Sequence, residues 1–120
     1  MYSVFIELKG LPPMPNAWGR MHRWQKQDQN TIWYAAISAQ VGSQKPLAPL
    51  TTYRLSLTRK SSSEPDYDGL VGSFKLVVDG LVRCGVLADD KISNSGPWEV
   101  GWIRSKQNQG SVLVQVTQVA

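Results

Sequence analysis

The sequence predicts a single α+β domain, and three observations carry that prediction. Short stretches with alternating apolar residues occur at both ends of the chain and in its middle. Two stretches between them have the composition or the apolar spacing of helices. The resulting order is strand, helix, strand, helix, strand, strand, with no internal repeat, low-complexity tract or interdomain linker. At 120 residues the chain can build one real core but not two.

The elements follow in order. "YSVFIEL" puts Tyr2, Val4, Ile6 and Leu8 on one face of a strand. Pro12, Pro13 and Pro15 then force an extended, stiff segment ending at Asn16. Residues 17–30, "AWGRMHRWQKQDQN", are basic and aromatic without a clean period and read as loop or irregular helix. "TIWYAAISAQVG" reads as a helix capped by Asn30, rich in alanine and ended by Gly42. After the loop "SQKPLAPL", "TYRLSLTR" alternates with Tyr53, Leu55 and Leu57 inward. "SFKLVVDGLVRCG" is the second helix: Phe74, Val77, Val78 and Leu81 follow helical spacing, and Gly85 lies just past the end. Gly80 weakens that helix by about 1 kcal/mol relative to alanine, which points to a close packing partner. "PWEVGWIR" and "SVLVQVTQV" are the last two strands, joined around "KQNQG".

Composition bounds the setting. No apolar run approaches the roughly 18–20 residues of a membrane span, and "MYSVFIELKG" does not read as a signal peptide. The one cysteine, Cys84, cannot form an internal disulfide and lies in an apolar stretch, as a buried core residue would. A cytoplasmic protein with no membrane contact is the expectation. The formal charge of +4 is uneven. Residues 1–60 hold eight Lys/Arg against two Asp/Glu, net +6, and residues 61–120 hold five against seven, net −2. A basic half joined to an acidic one suits a polyanion-binding surface beside a cation site. An ordinary solvated surface would look the same.

The acids concentrate in two places. In "EPDYDGL", Asp66 and Asp68 lie two apart, so on an extended segment both carboxylates face one side. Oxygen ligands of this kind suit a hard cation such as Mg²⁺. Asp89 and Asp90 follow the second helix. A helix from about 71 to 84 is roughly 20 Å long, so the two places share one cation only if the chain folds back after Gly85. Six residues, "GVLADD", at about 3.3 Å each, are long enough for that return. Lys75 and Asp79 share a helix face, as do Asp79 and Arg83. Plain helix caps and surface ion pairs account for the same spacings, so spacing permits a metal site without requiring one. In "WGRMHRWQK", Arg20, His22, Arg23 and Lys26 interleave with Trp18 and Trp24. The cations suit phosphates and the indoles suit exposed bases, although the tryptophans fit a core or dimer contact equally well.

Together the motifs resemble the RusA family of Holliday junction resolvases, common in phages and prophages. "LPPMPN" is similar to that family's Pro-Pro-x-x-Asn segment, and "DYDGL" stands where it has Asp-x-Asp-Asn-Leu. "KLVVDGLVRCGVLADD" resembles its Lys-x-x-x-Asp-x-Leu-x-x-x-Gly-x-x-x-Asp-Asp block. The resemblance implies a homodimeric α+β nuclease that nicks four-way DNA junctions with Mg²⁺, or Mn²⁺ in its place, and uses no small-molecule cofactor. It implies Asp66, Asp68 and Asp90 as metal ligands, Lys75 as the lysine that meets transition-state charge, and Asp79 and Asp89 as supporting acids. Asn16, Arg20, His22, Arg23 and Lys26 fall to DNA binding. Two departures stand out: Gly69 replaces the usual Asn, and the interval from Asp68 to Lys75 is three residues longer than in the best-studied branch. Two other readings fit part of the pattern. One is a non-catalytic phage DNA-binding module whose acids only cap helices. The other is a metal-dependent enzyme acting on a nucleotide or sugar phosphate, against which stands the lack of a glycine-rich phosphate loop.

Overall fold

The computed structural model describes residues 1–119. The chain runs β1 (Ser3–Lys9), α1 (Pro15–Gly19), α2 (Arg23–Val41), β2 (Tyr53–Ser61), α3 (Tyr67–Ser73), α4 (Lys75–Arg83), α5 (Ile92–Ser95), β3 (Glu99–Arg104) and β4 (Ser111–Gln118). This is an α+β domain, and its four strands and two main helices come in the predicted order. One mixed sheet has the order β1-β4-β2-β3. β4 pairs antiparallel with β1 and β2, whereas β2 and β3 are parallel. A parallel pair needs a crossover, and α3, α4 and α5 are that crossover.

The alternation in the sequence sets the register. Val4, Val116 and Leu55 form one row across three strands, Ile6, Val114 and Leu57 the next, and Leu8, Val112 and Arg59 the third. All nine side chains are buried. α2 adds Trp33, Ile37 and Val41 to the same core, at i, i+4 and i+8, and α4 adds Leu76, Val77, Val78 and Leu81. Gly80 is the contact point of the two helices. A Cβ there would lie 2.5 Å from Ile37 Cδ1, so the close partner that the sequence called for is α2.

Helix ends explain where the crossover turns. At the end of α4 the Gly85 N–H bonds to the Val82 carbonyl at 3.1 Å, and the Val86 N–H to the Leu81 carbonyl at 3.0 Å. This is the Schellman pattern, with Gly85 at φ +89° as the left-handed residue it requires. Cys84 caps the helix and is buried.

Three expectations need correction. The helix expected to start after Asn30 begins at Arg23, with His22 as its cap, and Asn30 lies inside it. The Gln25 side chain accepts the His22 N–H at 2.8 Å and so starts the helix eight residues early. The stiff proline segment ends earlier than expected, because Pro15 opens α1 and Asn16 is helical; proline suits a first helical position, where its missing N–H is not needed. The acidic loop is α3 from Tyr67 onward, separated from α4 only by Phe74. Among the described residues, no helix is long and apolar enough to cross a membrane.

Candidate active site

Asp66 and Asp68 sit at the start of α3 and not on an extended segment. Asp66 is the N-cap, with extended backbone, and Asp68 lies in the first turn. Carboxylates are favoured there by the helix dipole. Asp68 Oδ1 accepts the Gly69 N–H at 3.1 Å. Both acids still face one open cavity of about 210 Å³, together with Met14, Pro15 and Asn16.

Two glycines bring α1 this close to α3. A Cβ on Gly69 would lie 2.5 Å from Asp66 Oδ1 and 2.8 Å from Met14 Cε. A Cβ on Gly72 would lie 2.7 Å from Pro15 Cγ. The residue that departs from the resolvase pattern, Gly69, therefore has a local cause: Met14 and the Asp66 carboxylate occupy the space a side chain would need.

Lys75 opens α4 and holds two acids. Its Nζ is 3.0 Å from Asp79 Oδ1 and 2.7 Å from Asp90 Oδ2. The first partner follows from helical spacing. The second requires the chain to return after α4, and it does. The Leu50 N–H bonds to the Val86 carbonyl and the Ala88 N–H to the Leu50 carbonyl, both at 2.9 Å, which pins the return against the loop before β2. The Tyr53 hydroxyl donates to the Asp89 carbonyl at 2.6 Å, and Asp89 Oδ1 accepts the Asp90 N–H at 2.7 Å. Asp89 thus shapes the turn that presents Asp90. The hydrogen bond to Asp90, then that to Asp79, raises the Lys75 pKa. The Lys75 ammonium in turn holds the Asp90 carboxyl below the usual carboxylate range. Arg83 does not join this cluster; its guanidinium stacks over the Tyr34 ring, 4.3 Å from the centroid.

The two acidic groups are neighbours but not one cluster. Pro15 lines both the Asp66–Asp68 cavity and a second one, of about 540 Å³, that Lys75 and Asp79 border. Asp90 faces Lys75. Among the described residues, no three His, Cys, Asp or Glu side chains gather round a common point. The donor chemistry of the first cavity fits a hard cation: two carboxylates with the Asn16 amide alongside. Mg²⁺ is commonly held by one or two carboxylates and keeps waters that a substrate phosphate displaces.

The basic segment wraps the corner between α1 and α2. Arg20 Nε donates to the Asn16 carbonyl at 3.2 Å. Lys26 Nζ lies 5.6 Å from the centroid of the Trp18 ring. His22, Arg23 and Trp24 are exposed around the start of α2, while Trp18 is half-buried against the core. Sequence reasoning missed Arg59. It is 7% exposed and its Nη1 donates to the Pro12 carbonyl at 2.9 Å. Burial lowers its pKa, and among the described residues no carboxylate pairs with it. Its hydrogen bond ties the proline segment, and with it Met14 to Asn16, to the end of the sheet. An arginine at the next inward position after Leu55 and Leu57 was the available signal.

No family model matches this chain, and no curated protein matches it at a significant level.

Proposed function

We propose that this protein is a Mg²⁺-dependent endodeoxyribonuclease of the RusA type, which resolves four-way DNA junctions by paired nicks in recombination or repair. The observation that best supports the reading is the Lys75 cluster. Lys75 holds Asp79 and Asp90, 4 and 15 residues away, across Pro15 from the cavity of Asp66 and Asp68. These are the residues that carry the resemblance to the resolvases.

Phosphodiester hydrolysis needs a polarised phosphate, an activated water and a stabilised leaving oxygen. A bound Mg²⁺ supplies the first two, by Lewis acidity and by lowering the pKa of coordinated water. Asp66 and Asp68 would hold it, beside the Asn16 amide. Asp79 and Asp90 keep Lys75 protonated and aimed, so its ammonium is available to negative charge that develops on the phosphate. In this reading Asp90 positions Lys75, and the Asp66–Asp68 pair is the principal seat of the metal. Arg20, His22, Arg23 and Lys26 take backbone phosphates of the branched DNA. The enzyme acts in the cytoplasm as a homodimer, because a two-fold symmetric pair sets one site on each of two strands of a near two-fold junction.

The test is a nicking assay on a labelled four-way junction and a linear duplex of the same sequence, each with Mg²⁺ and with EDTA. Paired nicks in the junction alone, and only with Mg²⁺, are expected. Asp68→Asn should lower nicking at least about a hundredfold and leave junction binding intact, since the basic surface is unchanged. Mg²⁺-independent binding without nicks would replace the reading with a non-catalytic DNA-binding module. Binding of small nucleotides in its place would favour the phosphate-metabolite enzyme.

A further inference from the structure

The cavity on the Lys75 side of Pro15 has walls to which the nuclease reading gives no task. Its volume of about 540 Å³ lies within the roughly 300–1,000 Å³ of small-ligand sites. One wall is the Trp18 indole, backed by the core. The rings of Pro13 and Pro15 and the Leu76 side chain add apolar surface. Asn30, exposed on α2, contributes one carboxamide, which can both donate and accept a hydrogen bond. The surroundings carry charges of both signs. Lys26 Nζ sits 5.6 Å from the Trp18 centroid, and Lys75 borders the opening. Asp79 also borders it, and Lys75 is already held by Asp79 at 3.0 Å and by Asp90 at 2.7 Å, so Lys26 is the cation here that no carboxylate pairs with among the described residues.

This combination selects among ligands. An apolar metabolite has no use for the Lys26 ammonium, and a free phosphate has none for the indole. A planar heterocycle attached to a phosphate uses every part. A base can stack on an aromatic face whatever its identity, and one carboxamide can read its edge.

We propose that this cavity receives one nucleobase released from its pair at the branch point, stacked on Trp18, with its edge at Asn30 and its backbone phosphate near Lys26. The proposal rests on the junction-nuclease reading and adds the means by which substrate shape is recognised. Inside a continuous duplex a base enters the cavity only at the full cost of unpairing and of unstacking on both sides; at an open branch point stacking is interrupted on one side, so the cost is lower.

The experiment is an abasic scan. Each nucleotide flanking the branch is replaced in turn by an abasic residue, and affinity is measured in EDTA for wild type and Trp18→Ala. For wild type, one position should lose about fivefold to a hundredfold in affinity. Trp18→Ala should lose a similar factor on the intact junction and show no further loss at that position. Trp18→Phe, which keeps an aromatic face, should restore the sensitivity and guards against a folding defect in the alanine variant. Asn30→Ala should flatten any preference among the four bases there. Tight junction binding with a flat scan would overturn the pocket and leave the nuclease reading standing. Equal sensitivity in wild type and Trp18→Ala would also overturn it. No preference for junction over duplex would overturn both.

Discussion

Replacing Gly80 by alanine tests how tightly α2 and α4 are locked. The added methyl would sit 2.5 Å from Ile37 Cδ1 and 3.7 Å from the Tyr34 Cα. The first distance is about 1 Å inside the roughly 3.5–4.0 Å at which carbon atoms attract. Ile37 is fully buried, so its end methyl has no open space to move into. Overpacking of this kind costs about 1–3 kcal/mol, and alanine returns about 1 kcal/mol of helix propensity. The net loss should be about 0–2 kcal/mol. A sharper quantity comes from adding Ile37→Val, which deletes Cδ1 itself. Alone that change costs about 0.5–1.5 kcal/mol; combined with Gly80→Ala it makes room for the new methyl. The double variant should therefore be at least about 1 kcal/mol more stable than the sum of the two single losses implies. Urea denaturation of all four proteins measures this coupling. A value within about 0.5 kcal/mol of zero is what independent sites give, and it would refute the packing argument.

Two further outcomes follow from the site. Lys75 is 63% exposed and Asp90 27% exposed, so their ion pair is screened and should contribute less than about 1 kcal/mol. Because the Asp90 pKa is depressed, that contribution is present above the ordinary carboxylate range and fades as pH falls through the lower folded value. The raised Lys75 pKa preserves it up to the ordinary lysine range, with loss as pH rises through the higher folded value. Asp90→Asn should therefore cost under about 1 kcal/mol in urea melts at pH 7 and progressively less as pH falls below the ordinary carboxylate range; a larger loss at pH 7, or one that grows in acid, would contradict the pairing. Arg59→Met should leave global stability within about 2 kcal/mol, because relief of a buried charge offsets the loss of the donor to the buried Pro12 carbonyl. It should speed amide exchange in residues 14–20, which lean on the Pro12 tie, and spare β4; uniform acceleration would show that Arg59 holds no particular segment.

β1, β2, β4 and α4 were legible because one side of each is buried. Val4, Ile6 and Leu8, or Val77, Val78 and Leu81, leave their period in the sequence when the other side meets water. The first half of α2 left none. From Arg23 to Ile32 every residue is exposed or half-buried, so only Gln25 at the third helical position hinted at the start. α3 was hidden by Gly69 and Gly72, which read as loop residues but stand where Met14 and Pro15 press on the helix. Of the candidate site, the Lys75–Asp79 pair was readable from helical spacing. The Asp90 contact was not, since it depends on the Gly85 turn and on the pinning of Val86 and Ala88 to Leu50. The Arg59 tie was missed because an inward arginine looks like an interruption of the apolar pattern until its carbonyl partner is seen.

The single thiol at the end of α4 makes the protein its own reporter of helix opening. Cys84 is 3% exposed, and burial pushes its pKa up, so a thiol reagent in water finds neither access nor thiolate. Labelling must wait until the last turn of α4 comes away from the core. When closing outpaces the reagent, the labelling rate reads the free energy of that local opening. The same helix carries Lys75 and Asp79 at its other end. Whether branched DNA or Mg²⁺ stiffens α4 can thus be timed by chemistry on a native atom, with no dye attached and no residue changed.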